Sequence, residues 1–330
     1  MTGENHLAAR QSQGLPWRHE PDDPTGTKRI RSRWSAELYR RMRALKGAVR
    51  ESVIDRDAFG IGGGENSPGP SGDRPRRAGL SAHTARELAA QQGIDIAPAD
   101  PNEFAFPSDR EKVQGFKDWL DRQVDRGILE VGRAEREVAG GTPWQNTYIR
   151  QSYESGVDHA DAALTDMGVI SEAETIQNAF NAPRHVDGAA LVYTRAYNEL
   201  EGVTTDMGKQ MSRELAEGLT QGENPRKIAR RMTDRIDKIG VSRARTIART
   251  ETVRGHNEGA LNRYQAVEGR LDGVTVIAEW STAQDSDVCV ICRSFQGQEF
   301  KLDEARGRIP AHPNCRCTWV PVRKQDRNRT

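Results

Sequence analysis

The sequence predicts a mainly α-helical protein with a small C-terminal β-rich metal-knuckle module, an α+β arrangement, and three observations carry that prediction. Apolar residues recur at three- and four-residue spacing in several runs between Lys28 and Gly269, which is the signature of helices with one buried face. After Gly273 the period changes, and "VTVIAEWST" and "RCTWVPV" carry the β-branched and aromatic density of strands. All four cysteines fall within residues 289 to 317, between those two runs and at the start of the second.

The bulk numbers bound the rest. A chain of 330 residues holds about two folded units at about 150 residues per domain. Hydrophobic residues at 35% against 29% charged, with a mean hydropathy of −0.79, fit helices with large solvated faces or segments that bury little. A net charge of +1 supplies no global field toward nucleic acid or membrane, so any basic surface is local. The opening "MTGENHLAARQSQGLPW" lacks the apolar run of a secretory signal, and no stretch approaches the roughly 18 uninterrupted apolar residues of a span. No membrane is therefore expected as a partner, and the chain reads as made in a reducing cytoplasm, which favours metal ligation or free thiols over disulfides.

Residues 1 to 80 read as a disordered N-terminal arm that carries a basic amphipathic helix, at about 33–54, and a linker. In "KRIRSRWSAELYRRMRALKGAVRESV", Trp34, Leu38, Met42, Leu45 and Val49 draw one apolar stripe. Nine Lys or Arg lie between Lys28 and Arg50 against the single acid Glu37. Arg29, Arg31, Arg33, Arg40, Arg41 and Arg43 are the candidates for contact with DNA phosphates or an acidic protein face, and the plain alternative is a solvated basic surface. "GIGGGENSPGPSGDRPRRAG", residues 60 to 79, is the Gly/Pro linker.

Residues 81–270 read as a helical domain. Val113, Phe116, Leu120, Val124 and Ile128 share a face behind Ser108 as N-cap. A second run spans about 143 to 166. A third, from about 188 to 221, repeats Tyr193, Tyr197, Leu200, Val203, Met207, Met211, Leu215 and Leu219, a core stripe. Gly222 ends it, and Asn224 with Pro225 starts the next helix. The last long helix is expected to be capped by Ser242 and closed by Gly269. Within it Glu251 sits near the apolar edge and needs a basic partner, with Arg245, Arg249 and Arg254 within reach; Arg249 with Glu251 is the expected structural ion pair, and a catalytic glutamate with His256 is the alternative.

Residues 271–325 form the small β-rich module, some fifty residues, too few to bury a convincing core unaided. A metal would staple it. Cys289 and Cys292 have the C-x-x-C spacing of a zinc knuckle, and His312, Cys315 and Cys317 form the other half. Cys315 and Cys317 share a face if the segment is extended, which turns Arg316 away from the metal side and leaves it to touch whatever the module docks against. Five candidates compete for four positions, and spacing does not choose between an all-cysteine set and three cysteines with His312. The alternatives are four cysteines that merely staple strands and a catalytic thiol without an obvious base. Asp285 and Asp287 lie just upstream; with His312 and Glu251 they offer a metal-dependent nuclease, against the plainer reading that Asp285 caps a turn.

Taken together, "NPRKIARRM", "ARTIARTETVRGHNEGALNRY", "EWSTAQDSDVCVICRSFQGQEF" and "HPNCRCTWVPV" give residues 185 to 322 a specific pattern. In it the chain resembles the minor head, or head-morphogenesis, proteins of tailed phages, the family of phage Mu F-like proteins. Residues 1 to 80 carry no signature of that family. The resemblance implies a non-enzymatic virion protein inside the capsid near the portal, with portal protein and capsid interior as partners and a role in packaging or delivering double-stranded DNA. It also implies assembly in the host cytoplasm, metal binding at Cys289, Cys292, His312, Cys315 and Cys317, for which the cysteine spacing points to zinc, and a motif match at Arg249, Thr250 and Glu251.

Overall fold

A computed structural model describes residues 22–62, 90–91, 93–129, 144–171, 183–270 and 274–325. Of residues 1 to 30, expected to be disordered, 1–21 lie outside the described residues, as does most of the Gly/Pro linker at 63–79, whereas 22–30 form a turn with Asp23, Thr25 and Thr27 buried and the start of a helix. The architecture is mainly α with one small sheet near the C-terminus. Contacts divide the chain into two compact units that cut across its linear order: residues 1–32, 146–194 and 249–330 form one, and 33–145 with 195–248 form the other.

The unit of residues 33–145 and 195–248 holds most of the basic helix, α1, Lys28–Arg50. Its stripe of Trp34, Leu38, Met42, Leu45 and Val49 is at most 1% exposed, so this segment is core rather than a detached arm. Helix α2, Asp109–Val124, starts as the sequence predicts: Ser108 Oγ accepts the Glu111 N–H at 3.3 Å while the Glu111 carboxylate accepts the Ser108 N–H, a reciprocal capping box. Phe116 and Trp119 of α2 meet Phe59 and Phe104 in one aromatic cluster, with Phe59 and Phe104 centroids 5.2 Å apart and Phe116 and Trp119 5.6 Å apart. Phe59 and Phe104 lie in irregular segments that no periodicity flags.

Helix α4, Pro183–Thr220, buries Leu200, Met207, Met211 and Leu215 completely, as a core stripe should. Asn224 caps α5, Pro225–Arg235, by accepting the Arg226 N–H at 2.9 Å. Ser242, by contrast, has helical dihedrals: a π-turn over Ile236–Val241 carries the chain straight into α6, Ser242–Glu268, so no cap is needed there. The carboxylate of Glu214 joins Arg231 Nε at 2.6 Å and Arg235 Nε at 2.9 Å. Burial opposes its charge, but the two guanidiniums outweigh burial and hold it below the ordinary glutamate value of 4.5. A depressed carboxylate contributes stability above its unfolded pKa and loses it as pH falls through its folded one. Acid titration should therefore weaken this unit from about pH 4.5 downward, and Glu214→Gln should flatten that part of the profile, as read by urea midpoints across pH.

The other unit contains α3, Trp144–Asp166, most of α6 and the sheet. Strands β1, Val274–Ser281, β2, Glu299–Lys301, and β3, Thr318–Gln325, form an antiparallel sheet in the order β2-β1-β3. Trp280 pairs with Trp319 across it, and Pro321 sits on the edge strand, where a missing donor is tolerated. Val276, Ala278 and Trp280, alternate residues of β1, are buried with Trp319, Leu302 and Ile309 against Val253, Leu261, Tyr264 and Val267 of α6 and Ala160 and Leu164 of α3. The β module thus has no core of its own. Some fifty residues with one apolar sheet face cannot enclose that face, and the two helices complete it.

Candidate metal centre

The C-x-x-C segment opens a short helix, α7, Val290–Phe295. Cys289 is its N-cap, and its sulfur accepts the Cys292 N–H at 3.3 Å. That bond favours the thiolate and holds the Cys289 thiol below its ordinary value of 9.0. Gly297, at φ +76°, turns the chain back from α7 toward β2. The second half arrives on residues 309 to 317, a loop with prolines at 310 and 313 that ends where β3 begins.

The five sequence candidates converge. His312 Nε2 lies 3.1 Å from both Cys289 Sγ and Cys292 Sγ, and Cys292 Sγ lies 3.8 Å from Cys315 Sγ. Two donor groups result, Cys289 with Cys292 and His312, and Cys292 with Cys315 and Cys317, each with its donor atoms within 4.8 Å of one another. Cys292 belongs to both. No disulfide joins any of the four thiols. His312 Nδ1 is 2.8 Å from the Pro313 carbonyl and donates to it in the tautomer that leaves Nε2 bare toward the sulfurs, the second-sphere bond typical of ligating histidines.

These residues fit a tetrahedral ion. Two sulfurs each about 2.3 Å from one zinc stand about 3.8 Å apart, the separation of Cys292 and Cys315. The electrostatics agree. Burial and the neighbouring Cys315 push the Cys292 thiol up to about 12, while hydrogen bonds from the Cys317 thiol and backbone draw Cys315 down to about 5. Its bond to Cys315, and then burial, raise Cys317. Burial opposes charge on His312, yet the Pro313 carbonyl and the thiols of Cys315 and Cys289 raise it overall. So many thiols this close do not all ionise unless a cation compensates them.

The other predicted sites stand differently. Asp285 is taken up by Arg316, whose Nη1 and Nη2 donate to its two oxygens at 2.5 and 2.7 Å, and it also accepts the Asp287 N–H at 3.0 Å, which makes it a turn residue. Arg316 commits its guanidinium to that carboxylate. It is engaged within the unit, with a further bond to the Asp22 carbonyl at 3.2 Å. Glu251, 2% exposed, pairs with Arg254 at 3.0 Å, three residues on and so a neighbour on the helix surface, while Arg249 is exposed. His256 is fully buried, with Nε2 3.2 Å from Thr318 Oγ1.

Of the six contact arginines, Arg29, Arg33, Arg40 and Arg43 are exposed. Arg31 and Arg41 are buried: Arg31 pairs with Asp23, and Arg41 binds Glu37 at 2.9 Å and the Gly127 carbonyl at 2.7 Å. Positions 31, 34, 38, 41 and 45 follow the helical period, so both arginines fall on the apolar face and need internal partners there. Sequence reasoning missed Asn257, 1% exposed, whose Nδ2 donates to the Cys317 carbonyl at 3.2 Å and whose Oδ1 accepts the Trp319 N–H at 3.0 Å. The available signal was a polar residue on an otherwise buried helical face.

Residues 209–320 match the profile of a family described as phage Mu protein F like protein, a segment that spans α6, β1, β2, the start of β3 and all five Cys/His candidates. No curated protein and no solved structure matches the chain.

Proposed function

We propose, from the match of residues 209–320 to the phage Mu protein F like family, that the chain is a minor head protein that acts inside the capsid near the portal, in head assembly and in packaging or delivery of double-stranded DNA. The observation that carries the reading is the family match over the same residues that build the Cys/His centre. The family match supports a phage head-morphogenesis role with capsid-related partners and a place in the virion. No helix among the described residues is long and apolar enough to cross a membrane.

In this reading the protein is not an enzyme and the centre is structural. Asp285, one of the two acids just before Cys289, is committed to Arg316, and burial keeps His256 from substrate. Cys289, Cys292, His312 and Cys315 hold zinc, because Cys292 stands at a tetrahedral edge distance from Cys315 and His312 Nε2 faces the first pair. The metal supplies a cross-link between the α7 knuckle and the loop before β3.

The DNA-facing surface is the outer side of α1, where Arg29, Arg33, Arg40, Arg43 and Arg50 recur at spacings that sum to whole helical turns, and Arg43 lies over the ring of the exposed Tyr39 at 5.7 Å. Mass spectrometry of purified phage heads should find the chain, and its absence from them removes the head role. Separately, Arg33, Arg40 and Arg43 changed together to alanine should weaken duplex-DNA binding and lower the slope of log affinity against log salt by about 3. Unchanged salt dependence removes the DNA contact alone.

A further inference from the structure

We propose that α6, rather than the β module, presents the second half of the metal centre, with Thr250 and Asn257 as positioning residues for its ligands. The inference rests on the reading that the Cys/His cluster holds a metal. Residues 314 to 319 run along one side of α6 and are bonded to it repeatedly. The Asn314 N–H donates to Thr250 Oγ1 at 3.0 Å. Asn257 donates to the Cys317 carbonyl at 3.2 Å and accepts the Trp319 N–H at 3.0 Å. Tyr264 Oη donates to the Trp319 carbonyl at 3.2 Å.

Residues 250, 257 and 264 are spaced by seven, just under two turns, so they form one polar stripe on the helix face that the extended segment crosses. The consequence for the ligands is direct. Asn314 has a positive φ of 63°, and it is the turn between His312 and Cys315. Thr250 anchors the N–H of that turn and so sets the angle between imidazole and thiol. Asn257, by holding the Cys317 carbonyl and the next-but-one N–H, fixes the backbone just beyond Cys315, whose sulfur lies within 4.8 Å of those of Cys292 and Cys317. Outer-sphere partners of this kind typically govern metal affinity by about 10–100-fold. The motif "RTE", unabsorbed by any role in the head, thereby acquires one for its threonine.

The test uses the full chain and zinc alone, with affinity read by competition against a chromophoric chelator and ligand geometry read from the visible spectrum of the cobalt(II)-substituted protein. Thr250→Val keeps the side-chain volume and removes the acceptor; it should bind zinc about 10–100-fold more weakly while the thermal midpoint of the metal-free chain stays put, and Thr250→Ser should restore affinity. Asn257→Asp, equal in size, sets an acceptor against the Cys317 carbonyl and should weaken zinc as well. If both Thr250→Val and Asn257→Asp load zinc as the unaltered chain does, the positioning role is wrong. If the unaltered chain takes up neither zinc nor cobalt, the metal reading itself is wrong.

Discussion

Gly156→Ala should destabilise the protein by about 3 kcal/mol or more, a large effect for one methyl group. Helices α3 and α6 meet backbone to backbone: a Cβ on Gly156 would stand 1.9 Å from the His256 carbonyl oxygen, and one on Gly259 would stand 2.2 Å from the Tyr153 carbonyl oxygen. Neither obstacle is the end of a flexible side chain, so the helices must separate to admit the methyl. Intrinsic propensity points the other way, since alanine is favoured over glycine by about 1 kcal/mol in a helix interior. The sign of the result therefore tests the packing. Gly202→Ala is the control: nothing lies within 4 Å of a Cβ there, and the change should be neutral or stabilise by up to about 1 kcal/mol. Urea midpoints of the two variants decide the matter, and a Gly156→Ala protein as stable as the Gly202→Ala one would mean that α3 and α6 do not pack this closely.

Removing the metal should produce the second large loss. Zinc that binds the folded chain and not the unfolded one stabilises by about 4 kcal/mol when free zinc exceeds its dissociation constant a thousandfold. Chelation should accordingly lower the thermal midpoint, and the buried cysteines should become reactive to thiol reagents. The single-residue variants should rank by geometry. Cys292→Ser removes the one sulfur shared by both donor groups and should abolish stoichiometric zinc. Cys317→Ser leaves Cys289, Cys292, His312 and Cys315 in place and should retain it. A chain with Cys292→Ser that still carries one zinc would show that the ion sits elsewhere. A Cys317→Ser chain without zinc would show that the ligand set is different.

These expectations depend on different levels of the molecule. The helices of the Met and Leu stripe, the Ser108 N-cap and the two long strands were legible because each is set by local chemistry: period, cap, or β-branched density. The cysteine spacing likewise pointed to a centre before any geometry was known. Arg31 and Arg41 were misread for a physical reason. A run of basic residues on a helix is counted by charge along the chain, whereas exposure is decided by angle around the helix, and those two positions turn inward.

By itself the sequence determined a mainly helical chain, a β-rich end and the five donors that meet there, since those follow from residue identity and spacing over short distances. Tertiary structure alone decided which donors face one another, that Glu251 takes Arg254, that Asp285 is occupied by Arg316, and that the β module borrows its core from α3 and α6. Each of these joins residues far apart in the chain or chooses among near neighbours by direction, and local sequence carries no direction until the helices have packed.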